Sequence, residues 1–170
     1  LEFKSEPKEM VADSDTKLVF TIKNLQGEVY KDLEIIHEKP MHLIIVSEDL
    51  NEFYHLHPEP QSDGSLTVNF AFPTGGKYRL YVDFTPKDAQ QSVRDFPLQV
   101  SGGINSAKKL IPDAKFEKTV EGIKVLMETG GNLESNKEMT LSFRVFDAEN
   151  GELAEGMEKY LGETPHYVII

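Results

Sequence analysis

Four of the five histidines in this chain fall in one short stretch: His37-Glu38-Lys39-Pro40-Met41-His42, then Phe53-Tyr54-His55-Leu56-His57-Pro58. Neutral imidazole is a ligand for borderline transition ions and titrates near neutrality, so this concentration points to metal or proton chemistry. His55 and His57 are two residues apart and project from the same face of a strand. The intervening Ser47-Glu48-Asp49-Leu50-Asn51-Glu52 suits a hairpin loop. If Val46 pairs with Phe53, Ile44 stands opposite His55 and His42 opposite His57. Three imidazoles then converge on one face from adjacent strands. Such a set suits Zn(II) or Cu(II) and leaves a position for water or an exogenous ligand, whereas hard cations want oxygen donors.

The candidate metal ligands are therefore His42, His55 and His57, with His37 beside Glu38 placed to close the site from the preceding loop. Met41 is the outlying candidate. A regular strand turns its thioether to the face opposite His42, so it needs a bulge or turn to reach the same ion. Asp83 and Tyr81 are candidates to approach from a neighbouring strand. The competing account of all these histidines is structural: a His-x-His pair on an exposed strand can be inert, and a buried imidazole can simply satisfy backbone groups. His166 has no His-x-His counterpart after it and is assigned a structural role.

The elements that must position these residues are strands. Leu18-Phe20-Ile22, Leu66-Val68-Phe70-Phe72 and Tyr78-Leu80-Val82 each form one apolar face at a period of two, and Met41 to Val46 is apolar on both faces, as a central strand is. Turn chemistry separates them at Asn24-Leu25-Gln26-Gly27, Ser62-Asp63-Gly64, Pro73-Thr74-Gly75-Gly76 and Thr85-Pro86-Lys87-Asp88. This rhythm predicts an all-β sandwich. Leu153 to Leu161 offers at most a short turn of helix, since Gly156 interrupts it. Ser101-Gly102-Gly103-Ile104-Asn105-Ser106 reads as a linker after a last strand, Val93 to Val100.

The chain then repeats itself. Leu18-Val19-Phe20-Thr21-Ile22 aligns with Leu141-Ser142-Phe143-Arg144-Val145, and after one inserted residue Gly27, Leu33, His42, Ile44 and Ile45 fall on Gly151, Met157, His166, Val168 and Ile169. The expected organisation is a complete module over residues 1–102 and a second, truncated repeat over residues 107–170. Ile170 falls inside an apolar strand, so the second repeat is expected to be cut short or completed by strand exchange with another copy of the chain.

Composition narrows the function classes. With 29 acidic against 18 basic residues the net charge is -11, and no basic patch or basic-aromatic rhythm is present, which excludes nucleic acid as an expected partner. The absence of cysteine removes disulfides, thiolate metal sites and a Cys nucleophile. No apolar stretch reaches membrane-span length. Leu1 is not an initiator, so a processed product is expected, with a removed signal or lipoprotein leader as the fitting account. There is no Gly-x-Ser-x-Gly elbow, phosphate-binding glycine loop or His-Glu-x-x-His pair, and an enzyme is not expected.

The run from Lys39 through Asp49-Leu50, Phe53 and His55-Leu56-His57-Pro58 to Gly76-Lys77-Tyr78-Arg79-Leu80-Tyr81-Val82-Asp83-Phe84-Thr85-Pro86 resembles a family of exported or lipid-anchored bacterial modules, mostly uncharacterised. The resemblance covers residues 17–100 well. It implies an immunoglobulin-like or cupredoxin-like sandwich, an extracytoplasmic location, secreted or lipid-anchored, and a context of copper or heavy-metal handling. The functional expectation is a module that holds copper or zinc for storage, transfer or sensing. The alternative is a surface interaction scaffold whose histidines are structural and whose partner is another protein.

Overall fold

A computed structural model of the chain describes residues 1–103, 108–132 and 134–159. Strands are the only regular elements among them. The chain divides into a unit over Leu1–Leu110 and a unit over Ile111–Ile170. The first carries β1 (Glu2–Glu6), β2 (Met10–Val11), β3 (Asp15–Thr21), β4 (Met41–Ser47), β5 (Phe53–Leu56), β6 (Glu59–Pro60), β7 (Leu66–Ala71), β8 (Gly76–Phe84) and β9 (Ser92–Ser101). They form two sheets, ordered β1-β3-β7-β6 and β2-β9-β8-β4-β5.

The period-two patterns decide what lies between the sheets. Leu18 and Phe20 of β3 and Leu66 of β7 point inward from one sheet, and Met41, Leu43, Ile45, Leu80, Val82 and Val100 point inward from the other. All belong to one buried cluster, the core of a β-sandwich. Phe3 meets Phe96 at a tilt and Tyr54 meets Phe70 edge to face across the gap, with ring centroids 5.3 and 4.8 Å apart. At the end of the larger sheet β8 and β9 close together: a Cβ on Gly75 would lie 2.5 Å from the Gly102 carbonyl oxygen, so only glycine fits there.

β4 lies between β8 and β5, the central position its doubly apolar sequence predicts. The β4–β5 register is the one read from the sequence: Val46 pairs with Phe53, Ile45 with Tyr54, Ile44 with His55 and Leu43 with Leu56. The loop between them is held by its own side chains. The Glu52 amide donates to Ser47 Oγ, the Asn51 amide to Asp49 Oδ1 and the Ser47 amide to the Glu52 carbonyl. Leu50 takes the left-handed turn conformation, φ 59°.

The second unit is a three-stranded sheet of β10 (Glu117–Val120), β11 (Ile123–Thr129) and β12 (Leu141–Asp147), in that order. None of its described residues is fully buried. A comparable glycine turn occurs in both units, one residue longer in the second. In the first, the Asn24 amide donates to Glu28 O, Gly27 to Asn24 O and Tyr30 to Ile22 O; in the second, Asp147 donates to Glu152 O, Gly151 to Asp147 O and Ala154 to Val145 O. Both glycines are left-handed, φ 85° and 75°. Isolated bridges follow at Lys23–Val29 and at Phe146–Leu153. The expected turn of helix from Leu153 does not form over residues 153–159, where Gly156 stands at φ 71°; its end at Leu161, the linker residues 104–106 and the repeat positions His166, Val168 and Ile169 lie outside the described residues.

Met41 is completely buried in the core. Met41→Ala is expected to lower unfolding free energy by about 2–5 kcal/mol, and volume-conserving Met41→Leu by less than about 1.5 kcal/mol. Urea unfolding midpoints measure this; two equally small shifts would mean that Met41 does not pack as a core residue.

Candidate metal centre

Strand alternation sets this site. Because Met41, Leu43 and Ile45 are committed to the core, His42 and Ile44 must face outward. In the paired strand Tyr54 and Leu56 pack against the core, so His55 faces outward beside Ile44. His57 follows one residue beyond the end of β5, and Pro58, fully buried, anchors the segment as it leaves this sheet. Since β5 is the edge strand, the three imidazoles sit at the border of the larger sheet.

The ring centroids of His42 and His55 are 5.4 Å apart, those of His42 and His57 5.0 Å, and those of His55 and His57 4.7 Å. One ligand nitrogen from each lies within 4.8 Å of the others. Three nitrogens bound to one tetrahedral ion at Zn–N distances are roughly 3.3 Å apart, so small rotations of the rings suffice to hold one. One pair, His42 Nδ1 and His55 Nε2, is already at 3.2 Å.

Hydrogen bonding orients the set. His42 Nε2 lies 2.9 Å from the Ile36 carbonyl oxygen, an acceptor only, so the ring donates there and turns the lone pair of Nδ1 toward His55. This is how a backbone carbonyl behind the ring fixes the tautomer of a ligand imidazole. His55 Nε2–H then donates to His42 Nδ1 when no ion is present.

His57 is the exceptional member. Its Nε2 is buried and has no hydrogen-bond partner. Burial, with the nearby His55, His42 and Lys39 adding to it against the opposing pull of Glu59, pushes the imidazole down from 6.5 to about 4. At neutral pH His57 is thus an uncharged ring with a buried polar nitrogen, an arrangement that costs free energy as it stands.

The other candidates are placed differently. Met41 is on the opposite face, inside the core, and is not part of the cluster. His37 is exposed on the turn Ile36–Lys39, its ring centroid 6.0 Å from that of His42. Asp83 and Tyr81 are the β8 partners of His42 and Ile44, on the flank away from β5. The Asp83 carboxylate accepts a hydrogen bond from Gln91 Nε2 at 2.6 Å. Two participants escaped sequence reasoning. The Ile36 carbonyl is backbone and has no residue-type signature. The Lys39–Glu59 ion pair, 2.9 Å, links the segment before His42 to the one after His57. Extending the β4–β5 register beyond His57 brings these opposite charges close, and that was its only signal.

No curated protein and no solved structure shows a significant match to the chain. The family model described as Domain of unknown function (DUF8832) matches residues 1–102, more than half of the sequence and all of the histidine centre, and the chain belongs to that family.

Proposed function

We propose that this protein binds one borderline divalent transition ion, copper or zinc, through His42, His55 and His57, and serves in metal storage, transfer or sensing outside the cytoplasm rather than in catalysis. The observation that carries the reading is His57 Nε2, buried, neutral and without a hydrogen-bond partner beside two imidazoles whose nitrogens lie 3.2 Å apart. A coordinated ion would satisfy that nitrogen and the lone pairs together. The alternative, a protein-interaction scaffold with structural histidines, accounts for His42, which is hydrogen-bonded on both ring nitrogens. It leaves His57 unexplained. The donor set of nitrogens with no sulfur disfavours Cu(I), because Met41 is committed to the core. The extracytoplasmic setting rests on the resemblance to exported modules.

Elemental analysis and calorimetric titration with Cu(II) and Zn(II) test the proposal. One ion per chain is expected for the wild type, with loss of that binding in His55→Ala/His57→Ala. The ion should also raise the melting temperature of the wild type alone; at a free concentration 100 times Kd, linkage amounts to about 2.7 kcal/mol. Binding that is equally strong in the double variant would sink the reading.

Without metal, the depressed pKa has its own consequence. An unfolded chain protonates His57 near 6.5, whereas the folded one resists until about 4. Between those values the unfolded state holds more protons, so the contribution of His57 to stability is fully present above pH 6.5 and is lost as pH falls toward 4. Metal-free protein should therefore melt at falling temperature from pH 7 to 5, less steeply in His57→Gln. Parallel melting curves would show that His57 is not held neutral by the fold.

A further inference from the structure

We propose that His37 is the fourth protein ligand of this centre, and that the Ile36–Lys39 turn closes over the ion when it binds. The inference rests on the three-histidine reading and adds a coordination number and a moving part to it.

Imidazoles sharing one tetrahedral ion have ring centroids about 5 Å apart, from the metal–nitrogen distance and the size of the ring. The three pairs within the cluster lie at 4.7 to 5.4 Å. His37 stands 6.0 Å from His42, about 1 Å beyond ligand spacing and within the reach of a side-chain rotation with a small backbone shift. Three protein ligands leave one position open, and His37 is exposed where the others are half-buried.

The turn that carries His37 is already tied to the centre. Ile36 and Lys39 exchange backbone hydrogen bonds, both 3.1 Å, and the Ile36 carbonyl accepts from His42. Lys39 pairs with Glu59, two residues after His57. Both central residues are left-handed, His37 at φ 48° and Glu38 at φ 66°. A two-residue turn of this hand is served best by Asn-Gly, and Glu38 gains nothing from the conformation. The sequence thus places an imidazole, which the left-handed region tolerates, where asparagine is the commoner turn residue. Coordination by His37 in place of water explains that choice. It also leaves no open position for an activated water, in keeping with a carrier or sensor.

Co(II), a borderline ion with a coordination-sensitive visible spectrum, is the probe, added to the full chain. His37→Asn is the main variant, because asparagine is favoured in this turn and preserves the fold. The wild type should show a four-coordinate spectrum. In the variant, affinity should fall by at least the roughly tenfold that even outer-shell partners cost, and the spectrum should shift toward higher coordination as water enters. In His37→Gly, added imidazole should restore the wild-type spectrum, which a purely structural role would not allow. Unchanged affinity and spectrum in His37→Asn would overturn the assignment while leaving the three-histidine reading intact. Failure of the wild type to bind Co(II), Zn(II) or Cu(II) would overturn both.

Discussion

The register of the β4–β5 hairpin is the constraint on which both core and candidate centre depend. β4 sets Met41, Leu43 and Ile45 inward and His42 and Ile44 outward. A slip of one residue would drive His42 into the core and expose the apolar set, so the hydrophobic effect that closes the sandwich also fixes where the imidazoles point. Fully burying a side chain of this size stabilises by about 1.5–3 kcal/mol, and a slipped strand would put His42 in place of one of them, so the observed register is favoured. The loop adds to this, because its short side-chain hydrogen bonds leave one way to join Val46 to Phe53.

Placing polar rings at a sheet edge is ordinary; leaving one of their nitrogens buried without a partner is not. His57 bears that cost because Pro58, fully buried, fixes the chain where it leaves β5 for the other sheet. His42 is satisfied at both nitrogens, and the tautomer that satisfies it aims a lone pair into the cluster. Orientation and cost therefore reside on different residues. An ion would relieve the second and keep the His42–Ile36 bond, while it replaces the His55–His42 hydrogen bond, the proton of His55 Nε2 moving to the other ring nitrogen or to solvent.

Each unit has a turn with a left-handed glycine and similar backbone hydrogen bonds, one residue longer in the second, but the two differ in what stands behind the turn. In the first unit the turn caps a strand of a closed sandwich. In the second it follows the last strand of a three-stranded sheet with no fully buried residue among those described. The comparable local sequences Asn24–Glu28 and Asp147–Glu152 explain the likeness. In each the amide two residues on donates to Oδ1 of the leading Asn or Asp, so the turn is a local product that needs no particular core.

What the sequence determined by itself is what local periodicity can carry. Alternation in β3, β7 and β8 is visible residue by residue, β4 reads as apolar on both faces, and the parity of His42, His55 and His57 follows once a hairpin loop is recognised. β1, with Phe3 among charged and polar neighbours, and the two-residue β2 carry no such pattern; they exist because β3 and β9 offer them edges. Only the tertiary structure decided that His57 is buried and neutral, that the Ile36 carbonyl sets the tautomer of His42, and that Lys39 meets Glu59. The physical reason is common to all three. Desolvation, backbone acceptors and ion pairs between distant segments depend on what the folded chain brings near, and no residue type at a fixed spacing announces them.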